Sequence, residues 1–404
     1  MDRLYLFNAE NDLAQADFTE HYMAPALIRQ MSVDLAVLPM WYAFPGSGVL
    51  AVSAYNLEFM QQMKSLFGMN VNLVTWSELE GDTCWNVLPW GWNPALKKRL
   101  IKAGISVDVL PTEQNLKIMR SLASRGLALK VLEACRHLPK ACGTGCILSS
   151  VAECRAYWMH NKGCCVFKAP WSGSGKGLLW CYTDFSDAVA GWCGHILSAQ
   201  GALVGMPIYN KVFDFAMEFH SNGKGMVDFM GYSWFDTNSK GAYRGNWLAS
   251  DERIRQRLSG YVDELQLLTI EKQVQEVLVE LYGMYQGYLG VDMMICQLSD
   301  GQYTICPCVE VNVRMNMGLV ARIFTDRYLH HASEGYYKVE AFDTPLDLRK
   351  AHEADEAAHP RVIKDGKLLE GYLPLVPVTP QSRYRVYVKV ISSKKNTGKG
   401  IIFQ

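Results

Sequence analysis

The sequence lacks an excess charge of either sign, a long apolar run and regularly spaced cysteine pairs. Its 40 lysines and arginines balance 40 aspartates and glutamates, so we expect binding to neither nucleic acid nor an anionic membrane. No stretch approaches the roughly 18 apolar residues of a membrane-spanning helix. Charge interrupts the first ten residues too early for a signal peptide. These absences predict a soluble, cytoplasmic protein.

The 12 cysteines do not form a metal-binding or disulfide pattern. Cys164 and Cys165 are adjacent, one residue separates Cys306 from Cys308, and no Cys-x-x-Cys pair occurs. A chain of 404 residues with 49% apolar residues can build a core that needs no covalent staples. We therefore expect mostly buried free thiols in a reducing compartment.

Residues 1–115 alternate short apolar runs with helical patterns, which is typical of a parallel sheet covered by helices. The predicted strands are 4–7, 35–38, 49–52, 71–74, 85–88 and 107–110, and the helices include 56–67 and 94–103. Ligands bind at the carboxyl ends of such strands. Polar turns follow the first and fifth predicted strands, at 8–12 and 90–93. An acceptor pocket is one interpretation of these turns, and helix capping with core packing is the other.

From about residue 163 the pattern changes to strands joined by turns. The predicted strands are 165–168, 178–182, 203–207, 213–219, 290–297 and 303–313, with a long helix at 268–286. A charged helical stretch and β-hairpins follow from about residue 336. This half of the chain is therefore predicted to be α+β.

A loop of small residues joins the predicted strands 165–168 and 178–182. It follows Lys168 and consists of Ser172, Gly173, Ser174, Gly175, Lys176 and Gly177. Glycines leave backbone N–H groups free to converge on phosphate oxygens, and lysines add positive charge. The loop is not a Walker motif, because that motif needs Ser or Thr at 177 and a helix afterwards. Phosphate binding and an ordinary exposed turn both remain open at this point.

Two carboxylates lie on neighbouring strands of a predicted hairpin. A three-residue turn centred on Gly301 pairs Asp292 with Glu310, and alternation puts Asn312 and Arg314 on the same face as Glu310. Directly opposed carboxylates, with Cβ atoms about 5 Å apart, repel each other unless a cation lies between them. Hard oxygen donors of this kind suit Mg²⁺. A two-residue turn would shift this pairing, and a solvent-facing strand with scattered charges is the alternative.

Together, the loop and the hairpin resemble the ATP-grasp superfamily over about residues 116–335. The residues that carry the resemblance are Phe167-Lys168-Ala169-Pro170 before the glycine-rich loop, Gly290-Val291-Asp292, and Glu310-Val311-Asn312-Val313-Arg314. Residues 1–115 resemble the parallel α/β domain that usually precedes this fold. The resemblance implies an α/β plus α+β protein with four parts. These are an N-terminal α/β domain at 1–115, a subdomain with a glycine-rich flap at 116–200, a subdomain with the metal hairpin at 201–335, and a β-rich extension at 336–404 packing on the ATP-grasp core.

The resemblance also implies which residues bind ATP. Lys168 would contact the α- and β-phosphates, the loop 172–177 would close over the γ end, and the strand with Val204 and Met206 would lie against the nucleobase. A glutamate often stands at the position of Met206 in this family, so ribose recognition departs from the pattern. Arg125 and Lys130 are both candidates for the family's other lysine.

Further residues would hold the metal and the reacting group. The resemblance implies that Asp292, Glu310 and Asn312 bind Mg²⁺, with Mn²⁺ as an alternative, and that Arg314 stabilises the transferred phosphoryl group or an acyl phosphate. Arg244 follows a polar loop and either grips a substrate carboxylate or γ-phosphate, or is simply an exposed arginine.

The implied activity is that of an ATP- and Mg²⁺-dependent ligase. It would activate a small-molecule or peptide carboxylate as an acyl phosphate, which an amine or thiol then attacks. A small-metabolite kinase using the same site and a non-catalytic nucleotide-binding protein are the alternatives. The expected partners are small-molecule carboxylates and amines, and a homodimer is left open.

Overall fold

The computed structural model describes residues 2–51, 53–80, 85–173, 177–238 and 241–392. The chain divides into two compact units. The first comprises Met1–Leu116, Arg244–Ser250 and Asn316–Gln404, and the second comprises Lys117–Tyr243 and Asp251–Met315. The four-part division predicted from the sequence is finer than these units and stays a prediction.

The strands alternate with helices in the first quarter of the chain and dominate after residue 200. In chain order they are β1 Asp2–Leu6, β2 Ser47–Leu50, β3 Val71–Val74, β4 Trp85–Pro89, β5 Cys146–Leu148, β6 Cys165–Lys168, β7 Leu178–Cys181, β8 Leu203–Pro207, β9 Lys211–Asn222, β10 Val227–Thr237, β11 Tyr243–Leu248, β12 Gln286–Gln297, β13 Tyr303–Asn312, β14 Ser333–Ala341, β15 Val362–Lys364, β16 Lys367–Pro374 and β17 Tyr384–Ser392.

The helices are mostly short and amphipathic. They are α1 Asn11–Asp17, α2 Ala26–Asp34, α3 Ala54–Phe67, α4 Pro94–Lys102, α5 Glu113–Leu122, α6 Arg125–Cys135, α7 Val151–His160, α8 Asp187–Gln200, α9 Asp251–Leu258, α10 Glu264–Tyr282, α11 Met317–Tyr328 and α12 Pro345–Ala358. Among the residues that the structure describes, no helix is both long enough and apolar enough to cross a membrane.

A parallel sheet with the strand order β3-β2-β1-β4 forms the N-terminal part of the first unit. Leu4 on β1 pairs with Gly48 on one side and with Val87 on the other. The chain therefore winds outward from β1 to β3 and then returns to the opposite side of β1. The carboxyl ends of β1 and β4 are neighbours at this change of direction, which is where ligands bind in open α/β sheets. This confirms the predicted parallel α/β domain.

Two of the predicted N-terminal strands are wrong. Residues 35–37 connect α2 to a 3₁₀ turn at Leu38–Trp41, which includes residue 38, and residues 107–110 overlap another 3₁₀ turn at Val107–Val109. Leu35, Val37 and Leu38 are fully buried, so their apolar character reflects burial and not a strand. A run of four apolar residues cannot distinguish these cases, and Pro39, which lacks an N–H donor, suits a turn better.

The longest helix begins and ends four residues earlier than the sequence predicted. α10 covers Glu264–Tyr282 instead of 268–286. Asp263 caps it by accepting a hydrogen bond from the Leu265 N–H at 2.8 Å, and Gly283 follows its last residue. A capping Asp and a following glycine are the ordinary boundary signals of a helix. The apolar stripe alone did not locate these boundaries.

The remaining sheets are antiparallel. The first unit also contains strands in the order β11-β14-β17-β16-β15. The second unit contains the order β13-β12-β9-β10 and, separately, the four-stranded sheet β5-β8-β6-β7. The second unit therefore contains strands of two sheets. In one sheet, β6 and β7 are joined by the glycine-rich loop. In the other, β12 and β13 carry Asp292 and Glu310.

Candidate functional site

Lys168 ends strand β6 beside the glycine-rich loop. Its backbone pairs with Leu178 on β7 and with Val204 on β8, and its side chain is only 6% exposed. The ammonium group donates to the Val309 carbonyl at 3.2 Å. Burial and the nearby charge of Arg125 lower the pKa of this lysine. An anionic ligand would reverse that effect, because it would supply the negative charge that the buried ammonium group needs.

The base of the glycine-rich loop is anchored on both sides. The Ala169 N–H donates to the Gly177 carbonyl at 2.9 Å and extends the β6–β7 ladder by one bond. Trp171 donates its indole N–H to the Arg120 carbonyl at 2.7 Å, and its backbone N–H donates to the Gln200 side chain at 3.0 Å. Ser174, Gly175 and Lys176, at the predicted tip, lie outside the described residues.

Gly177 has a backbone angle that favours glycine. Its φ is +81°, and a Cβ at this position would lie 2.6 Å from the Ser172 Cβ. A larger residue would therefore strain the backbone and clash with the other side of the loop. Glycine is therefore required at 177, where the chain enters β7. Gly173 is the last described residue before the tip of the loop.

Asp292 and Glu310 lie directly opposite each other on β12 and β13, as the sequence predicted. However, the three-residue turn that the sequence analysis assumed does not produce this pairing. Near the turn Met294 pairs with Cys306, and a bulge then inserts two extra residues into β13 before Glu310. Without this bulge Asp292 would face Cys308. Pro307 lies within the bulge and has no N–H to donate, which suits an interruption of the ladder.

Negative charge accumulates around the partly buried Asp292. Burial, followed by the nearby charges of Glu310, Glu218 and Asp214, raises the pKa of its carboxyl group well above the usual value. The Asn312 amide donates to Asp292 Oδ2 at 3.2 Å, so all three predicted metal-binding residues lie together. Two opposed carboxylates and an amide oxygen are donors that Mg²⁺ accepts, with phosphate oxygens and water completing its shell. The donor set therefore fits this cation.

Arg125 contacts both the base of the glycine-rich loop and the hairpin. It begins helix α6, whose N-cap Ser124 accepts a hydrogen bond from the Gly126 N–H at 3.2 Å. Its Nε and Nη2 donate to Glu310 Oε2 at 3.1 and 2.8 Å, while Nη1 donates to the Ala169 carbonyl at 2.8 Å. Arg125 and Lys130 were both candidates for the second basic residue of the ATP site. Arg125 contacts Glu310 and the base of the loop, whereas Lys130 is exposed on α6.

Two acidic residues on β9 were missed by the sequence analysis. Asp292 pairs with Ala216, and Asp214 and Glu218 flank this residue on the same face of the strand. Glu218 is 1% exposed, and Asp214 accepts hydrogen bonds from Lys211 and from Thr237. The available signal was two acidic residues spaced by four within residues 212–219, which are otherwise apolar, because buried charge requires a partner.

The other four predicted site residues lie on three different segments of the chain. Val204 and Met206 are buried on β8, opposite Lys168 and Val166 of β6. Arg314 follows β13, and its guanidinium donates to the Met315 carbonyl at 3.0 Å. Arg244 is exposed on β11, in the other compact unit.

The polar turns of the parallel sheet are tied to each other. Asn8 is fully buried and donates to the Gly91 carbonyl at 2.9 Å, while accepting from the Gly91 N–H at 3.3 Å. Asn93 caps α4 through the Leu96 N–H at 2.9 Å. Trp90 packs edge-on against Phe7, with ring centroids 4.9 Å apart. These contacts favour capping and core packing as the roles of Asn93 and Trp90.

In the described ranges, no group of three or more His, Cys, Asp or Glu side chains has the arrangement of a metal site. A site of two carboxylates and one amide is consistent with this finding, since it depends on oxygen donors from a ligand and from water.

The comparison with known proteins rests on structure alone. Neither a protein-family model nor a curated protein sequence matches the chain. The structure is similar to N5-carboxyaminoimidazole synthetase from Staphylococcus aureus complexed with ADP, with a TM-score of 0.50 and 9% identity, covering 97% of this chain and 93% of that chain. Because that protein is an ATP-grasp enzyme, the chain has the ATP-grasp fold that the sequence resemblance implied.

Two further structures are similar, with slightly lower scores. N5-carboxyaminoimidazole ribonucleotide synthetase from Thermus thermophilus has a TM-score of 0.49 and 11% identity, covering 96% of this chain and 93% of that chain. Biotin carboxylase from Campylobacter jejuni, in complex with an ATP analogue, has a TM-score of 0.48 and 11% identity, covering 96% and 87%.

Proposed function

We propose that the protein is an ATP- and Mg²⁺-dependent ligase that activates a carboxylate as an acyl phosphate for attack by an amine or thiol. One observation carries the proposal. Arg125 contacts both the base of the glycine-rich loop and Glu310, which faces Asp292, while Lys168 donates to the neighbouring Val309 carbonyl. These contacts support one site, in which the basic segment would bind phosphate and the carboxylate pair would bind a cation.

Each of these residues would neutralise or position a part of ATP or of the reacting group. Lys168 would neutralise the α- and β-phosphates, and its low exposure would strengthen that attraction. Asp292, Glu310 and Asn312 would hold Mg²⁺, which neutralises phosphate charge when it is bound. Arg314 would bind the transferred phosphoryl group. Phosphoryl transfer needs positioning and neutralisation more than covalent help from the protein.

The remaining roles follow the same geometry. The strand with Val204 and Met206 would contact the nucleobase, since it lies beside Lys168 in the sheet. The loop residues Ser172, Gly173 and Gly177, with the tip of the loop, would cover the terminal phosphate and exclude water from the acyl phosphate.

The ligase proposal is favoured over a kinase by the fold. The Staphylococcus aureus protein with the similar fold is a synthetase that was crystallised with ADP. A synthetase joins two substrates, and an acyl phosphate accounts for the use of ATP in that step. The substrates of this protein belong to the proposal only as classes, namely small-molecule or peptide carboxylates and amines or thiols.

Substrate pools with labelled carboxylates test the proposal. The protein is incubated with ATP, Mg²⁺ and pools of ¹⁸O-carboxylates, with or without pooled amines and thiols, and ADP and phosphate are measured. A ligase transfers one ¹⁸O from the carboxylate to phosphate, and hydroxylamine in place of the amine yields a hydroxamate. A stable phosphorylated metabolite would instead identify a kinase, and ATP binding without turnover would identify a nucleotide-binding protein. Either result would contradict the proposal.

A further inference from the structure

Three thiols meet beside the hairpin β12–β13, apart from the carboxylates. Cys296 pairs with Thr304 across the hairpin, and Cys306 lies two residues further along the same face of β13. The segment after α6 runs alongside this strand, and the Cys142 N–H donates to the Ile305 carbonyl at 2.7 Å. The backbone therefore brings Cys142 next to the two hairpin thiols.

Cys142 and Cys306 are neighbours in the backbone register, because Ala141 and Ile305 form a parallel β-bridge. A Cβ added to Gly143 would lie 3.0 Å from Cys306 Sγ, so this sulfur packs against the Cys142 segment. Cys142 is partly exposed, whereas Cys296 and Cys306 are 1% and 0% exposed. One thiol is thus reachable from solvent, and two buried thiols lie directly behind it.

The surroundings favour a reactive form of Cys142. Hydrogen bonds from the two buried thiols lower the pKa of the Cys142 thiol, although burial opposes this effect. The same contacts, with burial, raise the pKa values of Cys296 and Cys306. The thiolate is the nucleophile in cysteine oxidation. Because Cys142 is the thiol that solvent reaches, it is the one that a peroxide can meet, and the buried Cys296 and Cys306 are placed to act as resolving thiols.

A soft-metal site would be the other use for three thiols. Across the described segments, however, no group of three or more His, Cys, Asp or Glu side chains has a metal-binding arrangement, and this includes Cys142, Cys296 and Cys306. A partly exposed thiol that lies beside buried thiols can be oxidised to a disulfide with one of them.

We propose that Cys142 is a site of reversible oxidation by hydroperoxides, which ends in a disulfide with Cys296 or Cys306. The Cys142 thiolate attacks the peroxide O–O bond and becomes a sulfenic acid, and the leaving oxygen takes a proton and departs as water or an alcohol. The thiol of Cys296 or Cys306 then attacks the sulfenic sulfur, forms the S–S bond and releases water. The peroxide gains two electrons, and the two thiols lose them.

The disulfide would have a structural consequence. It would fasten the segment between α6 and β5 to the hairpin strands, and β13 also carries Glu310. Reduction by a dithiol would release it. The inference does not depend on the proposed ligase activity, because it concerns only whether these sulfur atoms react.

The chain contains matched controls for this chemistry. Cys165 and Cys181 lie directly opposite each other on β6 and β7, and they are 0% and 3% exposed. They form a close thiol pair without a member that peroxide can reach. Cys164 is exposed, and Cys164→Ser removes its independent oxidation from the assay.

Peptide mapping without reductant tests the proposal on the full chain. The reduced Cys164→Ser protein is treated with hydrogen peroxide, alkylated, digested and analysed by mass spectrometry. We expect a crosslinked peptide that joins Cys142 to Cys296 or Cys306 and disappears after reduction. Cys142 left as a free alkylatable thiol would overturn the proposal, as would a crosslink restricted to Cys165 and Cys181.

Two variants extend the test. Cys142→Ser should abolish the crosslink, with circular dichroism to establish that the variant is folded. If that variant does not fold, the double variant Cys296→Ser and Cys306→Ser keeps Cys142 and removes both resolving thiols. We then expect a dimedone adduct at Cys142 without an intramolecular crosslink. An absence of the adduct from the folded double variant would contradict the assignment of Cys142 as the attacking thiol.

Discussion

Arg125 donates two hydrogen bonds to a single carboxylate oxygen of Glu310, from Nε at 3.1 Å and from Nη2 at 2.8 Å. The guanidinium is nearly buried, while the carboxylate side chain is 27% exposed. Charged hydrogen bonds in such a setting are strong, and leaving one partner buried and alone is costly. Nη1 also donates to the Ala169 carbonyl. A single side chain therefore connects the base of the glycine-rich loop to the hairpin.

We expect Glu310→Ala to lose Mg²⁺-dependent turnover by about 100-fold or more, which is what a single electrostatic group contributes to catalysis. The same change leaves Arg125 without its carboxylate and should lower the free energy of unfolding by about 1–3 kcal/mol. Steady-state kinetics and chemical denaturation measure the two effects.

Glu133→Ala is the matched control for this change, because Glu133 is an exposed acid on α6 with only a surface ion pair to Arg136. It should leave both measurements unchanged. Full metal-dependent activity in Glu310→Ala would contradict the role of the hairpin.

Lys168→Ala should weaken ATP binding about 10- to 100-fold, because charge-assisted hydrogen bonds contribute about 1.5–3 kcal/mol. Calorimetric titration with a non-hydrolysable ATP analogue measures the change. Lys130→Ala serves as the control, since Lys130 is an exposed lysine of the same unit. An equal loss of affinity in the two variants would show that the effect is not specific to the buried lysine.

Mg²⁺ binding should release protons. Burial and neighbouring carboxylates raise the pKa of Asp292, and a cation binds only the deprotonated form. The affinity for Mg²⁺ should therefore increase as the pH rises towards the raised pKa. Titrations in two buffers with different ionisation enthalpies measure the released protons. Asp292→Asn should release none from this position, and a wild-type signal in that variant would contradict the assignment.

The same raised pKa makes stability depend on pH. The folded protein holds the Asp292 proton more tightly than the unfolded chain does, so this contribution is full below the ordinary pKa of a carboxyl group. It is lost as the pH rises towards the folded pKa, by at most about 1.4 kcal/mol per pH unit. Asp292→Asn should therefore gain stability relative to wild type over that interval without Mg²⁺. Denaturation curves at several pH values would disprove this if the difference stayed constant.

Trp41 should be among the most sensitive core positions of the first unit. It is fully buried, donates its indole N–H to the Leu375 carbonyl at 2.7 Å, and meets Phe67, Phe324 and Tyr328 edge-on. Trp41→Ala should cost about 3–5 kcal/mol of unfolding free energy. Trp41→Phe keeps most of the packing and should lose less. Equal losses would mean that the indole hydrogen bond, and not the ring volume, dominates.

Elements with local signals were predicted well. The strands 71–74, 165–168 and 203–207 match the structure residue for residue, because apolar runs bounded by turn residues identify them. The run 35–38 was misassigned because four apolar residues report burial without reporting backbone conformation. The segment 107–110 is interrupted by Asp108, and its Val107 is 55% exposed in a 3₁₀ turn. The start of α10 was missed although Asp263 was a suitable cap.

Only some residues of the candidate site could be predicted from the sequence. Lys168, the glycine-rich loop and the carboxylate pair were found from patterns within short segments. Asp214 and Glu218 were missed, because only the pairing of β9 with β12 brings them to Asp292. Arg125 was one of two open candidates, and the choice depended on which side chain reaches Glu310.

The sequence by itself determined many of the local elements, since apolar periodicity and turn residues act over a few residues. It also placed Asp292 and Glu310 on neighbouring strands of one hairpin. Only the tertiary structure decided that a bulge, and not the turn, sets this pairing. It also decided that Arg125 reaches a carboxylate 185 residues away and that Cys142 reaches the hairpin thiols. Such contacts depend on how whole surfaces pack, and no spacing within a segment encodes the distance between two residues that are remote along the chain.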